Sequence, residues 1–172
     1  PDRTPPDPGA RVFETVYTRP FQMHGSIGPS AARALWEDGR LTVWSHSQGV
    51  GLLRASMATA LRVDPDAVRV IHVEGAGCYG HNGADDAALD AAIAARAVPG
   101  RPVLLKWTRA DEHRYEPYAP AMCCELAATL DTHGRVSWWS QDVRSYTHLG
   151  RPIPDREGHV ALRAAWELEE PF

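Results

Sequence analysis

The stretch Val68-Arg69-Val70-Ile71-His72-Val73-Glu74-Gly75-Ala76-Gly77-Cys78-Tyr79-Gly80-His81-Asn82-Gly83-Ala84-Asp85-Asp86 passes from a strand-like run through a glycine-rich loop into an alanine-rich segment. Its first six residues are apolar except for Arg69 and His72. Val68 and Val70 fall on one face of such a strand, Ile71 and Val73 on the other, which predicts cover on both sides for much of its length. Gly75, Gly77, Gly80 and Gly83 then put four glycines in nine residues, enough to turn the backbone sharply and admit another group at close range. Beyond them Ala84, Ala87, Ala88, Ala91, Ala92 and Ala95 recur in a narrow helical stripe, with Leu89 and Ile93 on adjoining rows. That spacing predicts a helix whose small side chains let a sheet or a partner domain approach closely. Val98-Pro99-Gly100 stops it. The free N–H groups at the helix start could receive an anion.

The rest of the chain is arranged around this unit. Residues 1–10 contain four prolines and read as a linker or poorly ordered arm. Val12, Phe13, Val16 and Tyr17 suggest a strand, and a loop with His24, Ser26 and Gly28 follows. Two β-like runs, Ala32 to Trp36 and Leu41 to Ser45, flank Asp38-Gly39, a strong hairpin signal. His46-Ser47-Gln48-Gly49 comes next, then a helix marked by Val50, Leu53, Met57, Ala60 and Leu61. Asp64-Pro65-Asp66 reads as a capped helical turn before the Val68 strand. Downstream, Val103 to Trp107 reads as a short buried strand, and Thr108 to Pro120 as a connection too polar and irregular for core. Met122 to Leu130 and Arg135 to Tyr146 form a second hairpin around Asp131-Thr132-His133-Gly134. Trp138 and Trp139 must point to opposite faces, one of them toward core. Regularity fades from Thr147, and Glu167 to Pro171 look like an exposed tail. The order β–β–β–α–β–α–β–β–β predicts an α+β fold, a mixed sheet with two main helices, as one domain over residues 11–172.

Composition narrows the function classes. A net charge of −4, with 18 basic residues scattered singly, argues against nucleic acid as a partner. No run approaches the length of a membrane span, and no signal peptide is visible. Cys78, Cys123 and Cys124 match no zinc spacing and read as isolated, mostly buried thiols. The start at Pro1 suggests processing or a piece cut from something longer, so the compartment is cytoplasmic by default with the periplasm left open.

Gly75, Gly77 and Gly80 have the spacing of a dinucleotide fingerprint, but no acidic residue stands about 20 positions on to hold a ribose. The loop also lacks the Lys-Ser/Thr ending of a phosphate loop. By spacing it is a ligand cradle or a structural turn. Asp85 and Asp86 suit a helix N-terminus as capping charges. Gln48, at the end of a strand, could offer its amide to an oxo or carbonyl group or simply cap backbone. His24, His46 and His81 could bear acid–base roles or be satisfied polar residues. No pair of carboxylates stands out as nucleophile and acid.

Three segments in order carry a resemblance: Met23-His24-Gly25-Ser26-Ile27-Gly28-Pro29-Ser30, Val43-Trp44-Ser45-His46-Ser47-Gln48-Gly49, and Gly75 through Asp86. Together they resemble the molybdenum-binding large subunit of the xanthine dehydrogenase/aldehyde oxidase family, nearest its isoquinoline 1-oxidoreductase and nicotinate dehydrogenase branch. The likeness covers roughly residues 12–145 and corresponds to the first molybdopterin-binding domain. It implies an enzyme that hydroxylates an aldehyde or an N-heteroaromatic compound with oxygen from water. It also implies a molybdopterin cofactor, in bacteria often the cytosine dinucleotide form, and [2Fe–2S] clusters in a partner subunit or domain. Gln48 matches the family glutamine beside the metal's apical oxo group. Gly77, Cys78, Tyr79, Gly80 and His81 fall where the family has Gly-Gly-Phe-Gly-Gly, with Tyr79 at the aromatic position. Asn82 and Gly83 stand where purine-oxidising members carry a substrate-contacting glutamate, so purines are not expected. The general-base glutamate of the family lies in a second cofactor domain, and none is matched here. The expectation is therefore a cofactor-pocket wall with no catalytic residue of its own and no activity in isolation. The alternatives are a non-enzymatic binding or assembly module using the alanine face and paired tryptophans, and a small hydrolase using Cys78 and His81.

Overall fold

The computed structural model describes residues 9–146, which form two compact units. One comprises residues 9–22 and 119–146, the other residues 23–118. In the first unit β1 (Val12–Arg19), β6 (Met122–Leu130) and β7 (Val136–Ser145) make an antiparallel sheet with β6 in the centre. Val12 pairs with Thr129 and Arg19 with Met122 along β1 and β6. The β6–β7 turn is closed by Asp131, whose carboxylate accepts from the N–H groups of His133 and Arg135 at 2.8 and 2.9 Å. Trp138 is half-buried and Trp139 exposed, so neither is the core residue expected. Among the described residues no helix belongs to this unit, and a sheet face without a second layer leaves its aromatics in solvent.

The second unit is a four-stranded mixed sheet in the order β4–β3–β2–β5, formed by β4 (Val68–His72), β3 (Arg40–Ser45), β2 (Ala31–Glu37) and β5 (Val103–Lys106). β2 and β3 form the expected hairpin. Asp38 and Gly39 both take positive φ, 49° and 75°, as a two-residue turn between twisted strands requires. β3 and β4 are parallel, which needs a crossover, and α1 (Val50–Leu61) supplies it. α2 (Ala84–Arg96) links β4 at one edge to β5 at the other.

Alternation along β2 and β3 sends Ala32, Ala34, Trp36, Leu41 and Val43 into the core, where they join Leu53, Met57 and Leu61 of α1 and the alanines of α2. Ala87, Ala88, Ala91, Ala92 and Ala95 are fully buried against this sheet. Small residues on both partners allow the close approach predicted from the stripe. Trp36 donates its indole N–H to Ala92 O at 3.1 Å, and Arg96 donates to Leu61 O at 2.9 Å, which fixes α2 to β2 and to the end of α1.

Three expectations change. β4 and β5 are edge strands rather than strands covered on both sides: Ile71 is only half-buried and Leu104 is 76% exposed. The helices of this unit pack on one face of its sheet, so an apolar run does not imply two layers. The cysteines are free as expected, but all three are half-buried. Residues 109–115, read as an irregular connection, form a third helix, α3 (Arg109–Tyr115), with a capping box between Thr108 and Asp111. The arm before Gly9 and the tail from Thr147 lie outside the described residues.

Candidate functional site

Three segments far apart in the chain meet at the start of α2. Asn82, 2% exposed, donates its amide to Ser26 Oγ at 2.9 Å and accepts from Ala84 N at 3.1 Å. Ser45, at the end of β3, donates to Ala84 O at 3.4 Å and accepts from Ser47 N at 3.2 Å. Each buried polar group is thereby satisfied by one from another segment. Asn82 is spent on structure, so it does not reach outward toward a substrate.

The glycine loop is seated by aromatic rings. A Cβ on Gly75 would lie 2.7 Å from the His46 ring, and one on Gly80 would lie 2.6 Å from the His24 ring. A Cβ on Gly83 would run into Trp107, and one on Gly28 would lie 2.8 Å from Ala76 Cβ. Gly77 and Gly80 take φ of 95° and 127°, and Tyr79 between them is held at φ 56°. A bulky residue in the left-handed region costs free energy that its surroundings must supply, and such outliers cluster at binding loops. Tyr79 is 62% exposed, with its ring folded over Gly77.

Around this loop the chain presents unused polar groups. Among the described residues, none of the backbone N–H groups from Glu74 to His81 donates to a protein acceptor. His81 Nε2 lies 3.2 Å from Asp85 Oδ2, and His81 Nδ1 is buried without a partner. Cys78 donates its thiol to Gly80 O. Thiol and imidazole thus engage different partners, which leaves the hydrolase alternative without its nucleophile–base pair. His72 Nδ1 lies 3.1 Å from Ser47 O, and Val73 N donates to Ser45 O at 2.9 Å. The bend that carries Gln48 is therefore laced to the strand that enters the loop, and Gln48 itself is exposed. Burial holds the His46 and His24 imidazoles below their usual pKa, His24 further so because of His81. Both rings pack as neutral groups near pH 7.

The loop is thus an exposed backbone cradle with free donor N–H groups and a strained aromatic, features that suit contact with a polar ligand. Residues 8–172 match the family described as the molybdopterin cofactor-binding domain. The chain belongs to this family. A nicotinate dehydrogenase subunit of Pseudomonas putida is 42% identical over 136 residues, covering 79% of this chain and 11% of that protein. The aldehyde oxidoreductase molybdenum-binding subunit PaoC of Escherichia coli is 33% identical over 126 residues, 73% of this chain and 17% of that protein. Quinoline 2-oxidoreductase from Pseudomonas putida 86 shares the fold at a TM-score of 0.67 and 19% identity, over 78% of this chain and 17% of its own. The aldehyde oxidoreductase of Desulfovibrio gigas does so at a TM-score of 0.62 and 23% identity, over 74% of this chain and 14% of its own. The α+β architecture is thus that of the molybdopterin-binding family, and the chain spans a minor part of each relative.

The residues present fit the cofactor. Donor N–H groups line the glycine loop without a lysine, and His81 Nδ1 adds a buried polar atom with no protein partner. What spacing alone could not find is the support behind the loop: His24, His46 and Trp107 as the surfaces on which its glycines rest. Glu112 and Glu116, buried under the 23–30 loop, were also missed.

Proposed function

We propose that this chain, over residues 11–172, is the first molybdopterin-binding domain of a larger molybdenum hydroxylase, and that it forms one wall of the cofactor pocket. The parent enzyme would oxidise an aldehyde or an N-heteroaromatic substrate with oxygen taken from water. The single observation that carries this reading is the glycine loop itself: exposed, strained at Tyr79, and rich in N–H groups that the described residues leave unbonded. The 42% identity to a nicotinate dehydrogenase subunit and the 33% identity to an aldehyde oxidoreductase subunit support that pair of substrate classes.

In this reading the Gln48 amide would donate to an oxygen of the cofactor, and the backbone N–H groups of Gly77, Cys78, Tyr79, Gly80 and His81 would hold its polar atoms. When bound, the molybdenum centre supplies the Lewis acidity and the two-electron redox chemistry. The chain's own part would be to orient the centre with the Gln48 amide and the unbonded N–H groups of the loop. Pre-set donors of this kind need no reorganisation during reaction, which is where their catalytic value lies. The general-base glutamate and the second cofactor domain would come from outside these residues, as would the [2Fe–2S] clusters. The cofactor would be the cytosine dinucleotide form.

The test is made in the complete enzyme. Gln48→Ala is expected to leave molybdenum content near stoichiometric and to lower turnover of aldehyde or N-heterocycle by about a hundredfold, the usual loss for one pre-set donor. Turnover equal to wild type would remove Gln48 from the site.

A further inference from the structure

The cofactor wall leaves one buried cluster without a role. Glu112 on α3 and Glu116, which caps it, are 0% and 4% exposed. Each uses Oε1 to accept from a backbone N–H of the 23–30 loop: Glu112 from Ser30 and Glu116 from His24, both at 2.5 Å. Glu116 Oε1 also lies 3.3 Å from His24 Nδ1. The two Oε2 atoms are buried and find no hydrogen-bond partner among the described residues. The carboxyl groups stand four residues apart, at the middle and the end of α3. Two buried, unpartnered carboxylates side by side are costly to keep charged, and one proton between them would give each Oε2 a partner.

We propose that Glu112 and Glu116 are a proton-sharing carboxyl pair that positions the 23–30 loop and, through it, sets the His24 ring against Gly80. The pair would act as positioning residues, since neither faces the loop's open side directly. That this loop meets a cofactor rests on the proposed function. The shared proton does not.

The surroundings favour one proton rather than none or two. Arg109 brings a permanent charge, but its Nη2 is committed to Ser26 O at 2.6 Å and Ile27 O at 3.0 Å. It thereby pins the same loop from a third point. Burial, then the Glu112 carboxyl beside it, pushes Glu116 up to about 7. Burial alone would also raise Glu112; the neighbouring Glu116 carboxyl, the bond from Ser30 and the charge of Arg109 hold it below the ordinary range. The remaining charged or titratable neighbours are His24 and His46, which feel Glu112, and His81, which opposes a charge on His24. A carboxyl raised in the folded state stabilises fully below its ordinary value, near 4.5, and that contribution is lost as pH rises through about 7. Above that pH both carboxylates are charged and the loop is pushed off α3.

Glu116→Gln separates the possibilities, because an amide keeps the donor toward Glu112 and the acceptor for His24 N but cannot lose a proton. Difference infrared spectra of the complete wild-type enzyme should show a buried protonated carboxyl that disappears on titration near neutrality and is missing in E116Q. The alkaline limb of the turnover profile should move up by about one pH unit or more in E116Q. Glu116→Ala, which leaves the His24 N–H and Glu112 unpaired, should lose roughly tenfold in turnover or molybdenum content, and E116Q should restore it. Absence of the carboxyl band in the wild type, or superimposable pH profiles for wild type and E116Q, would overturn the proposal. The infrared titration is also run on cofactor-free protein, so a failure to load molybdenum counts against the proposed function alone.

Discussion

At Gly80 the loop's backbone and its packing impose the same demand. Its φ of 127° lies where side-chained residues are strained, and an added Cβ would sit 2.6 Å from the His24 ring. Neither problem relieves the other, because moving His24 away breaks its contacts with Glu116. Gly80→Ala is expected to cost about 2–3 kcal/mol of local stability and most of the bound molybdenum. Elemental analysis of the complete enzyme checks this; wild-type metal content would show that the loop has slack. The glycine was legible in the sequence as part of a cradle, since its spacing and neighbours stand out in one dimension. Its opponent was not. His24 and Gly80 meet only because Asn82 binds Ser26 and Arg109 holds the intervening carbonyls, and no local pattern encodes such a contact.

At the scale of elements, the hairpins and the two long helices could be read directly, because each carries a local signature. Asp38-Gly39 fixes one turn, and the alanine stripe fixes the buried face of α2. α3 escaped for a physical reason. Periodicity finds helices by their apolar stripe, and the buried positions of this segment are Glu112 and Glu116. The usable signal was Thr108 three residues before Asp111, a capping box with aspartate in place of the usual glutamate or glutamine. In the structure Thr108 Oγ1 accepts from Asp111 N at 3.2 Å, and Asp111 returns the bond to Thr108 N at 2.8 Å. Thr108→Ala removes the first of these and is expected to destabilise α3 by about 1 kcal/mol. Hydrogen exchange at the α3 amides of the complete protein measures this. A change confined to other segments would mean that the box does not hold the helix. If α3 loosens, protection at His24 N and Ser30 N should fall with it, since both donate to its glutamates.

At the scale of the whole molecule, each unit ends in surfaces that water does not suit. In the strand-only unit Val16 and Tyr17 are each 61% exposed. Trp139 lies over a shallow hollow lined by Phe13, Leu126 and Ala128. A three-stranded sheet needs a covered hydrophobic face to be stable, and no helix among the described residues of its own unit provides one. In the helical unit Ile27 and Leu104 stand in solvent beside the loop and at the sheet edge. Clustered apolar surface on one sheet marks contact with other protein. The relatives extend far beyond the matched region, since it covers 11% and 17% of two of them. The 172-residue chain alone is expected to hold no molybdenum, to oxidise neither aldehydes nor N-heterocycles, and to bind a hydrophobic dye strongly. Production together with the remainder of the parent enzyme should quench the dye signal and restore the metal, because the same contacts cover the sheets and close the pocket. Stoichiometric molybdenum with dye-linked turnover by the isolated chain would overturn this, and would place a complete catalytic site within these residues.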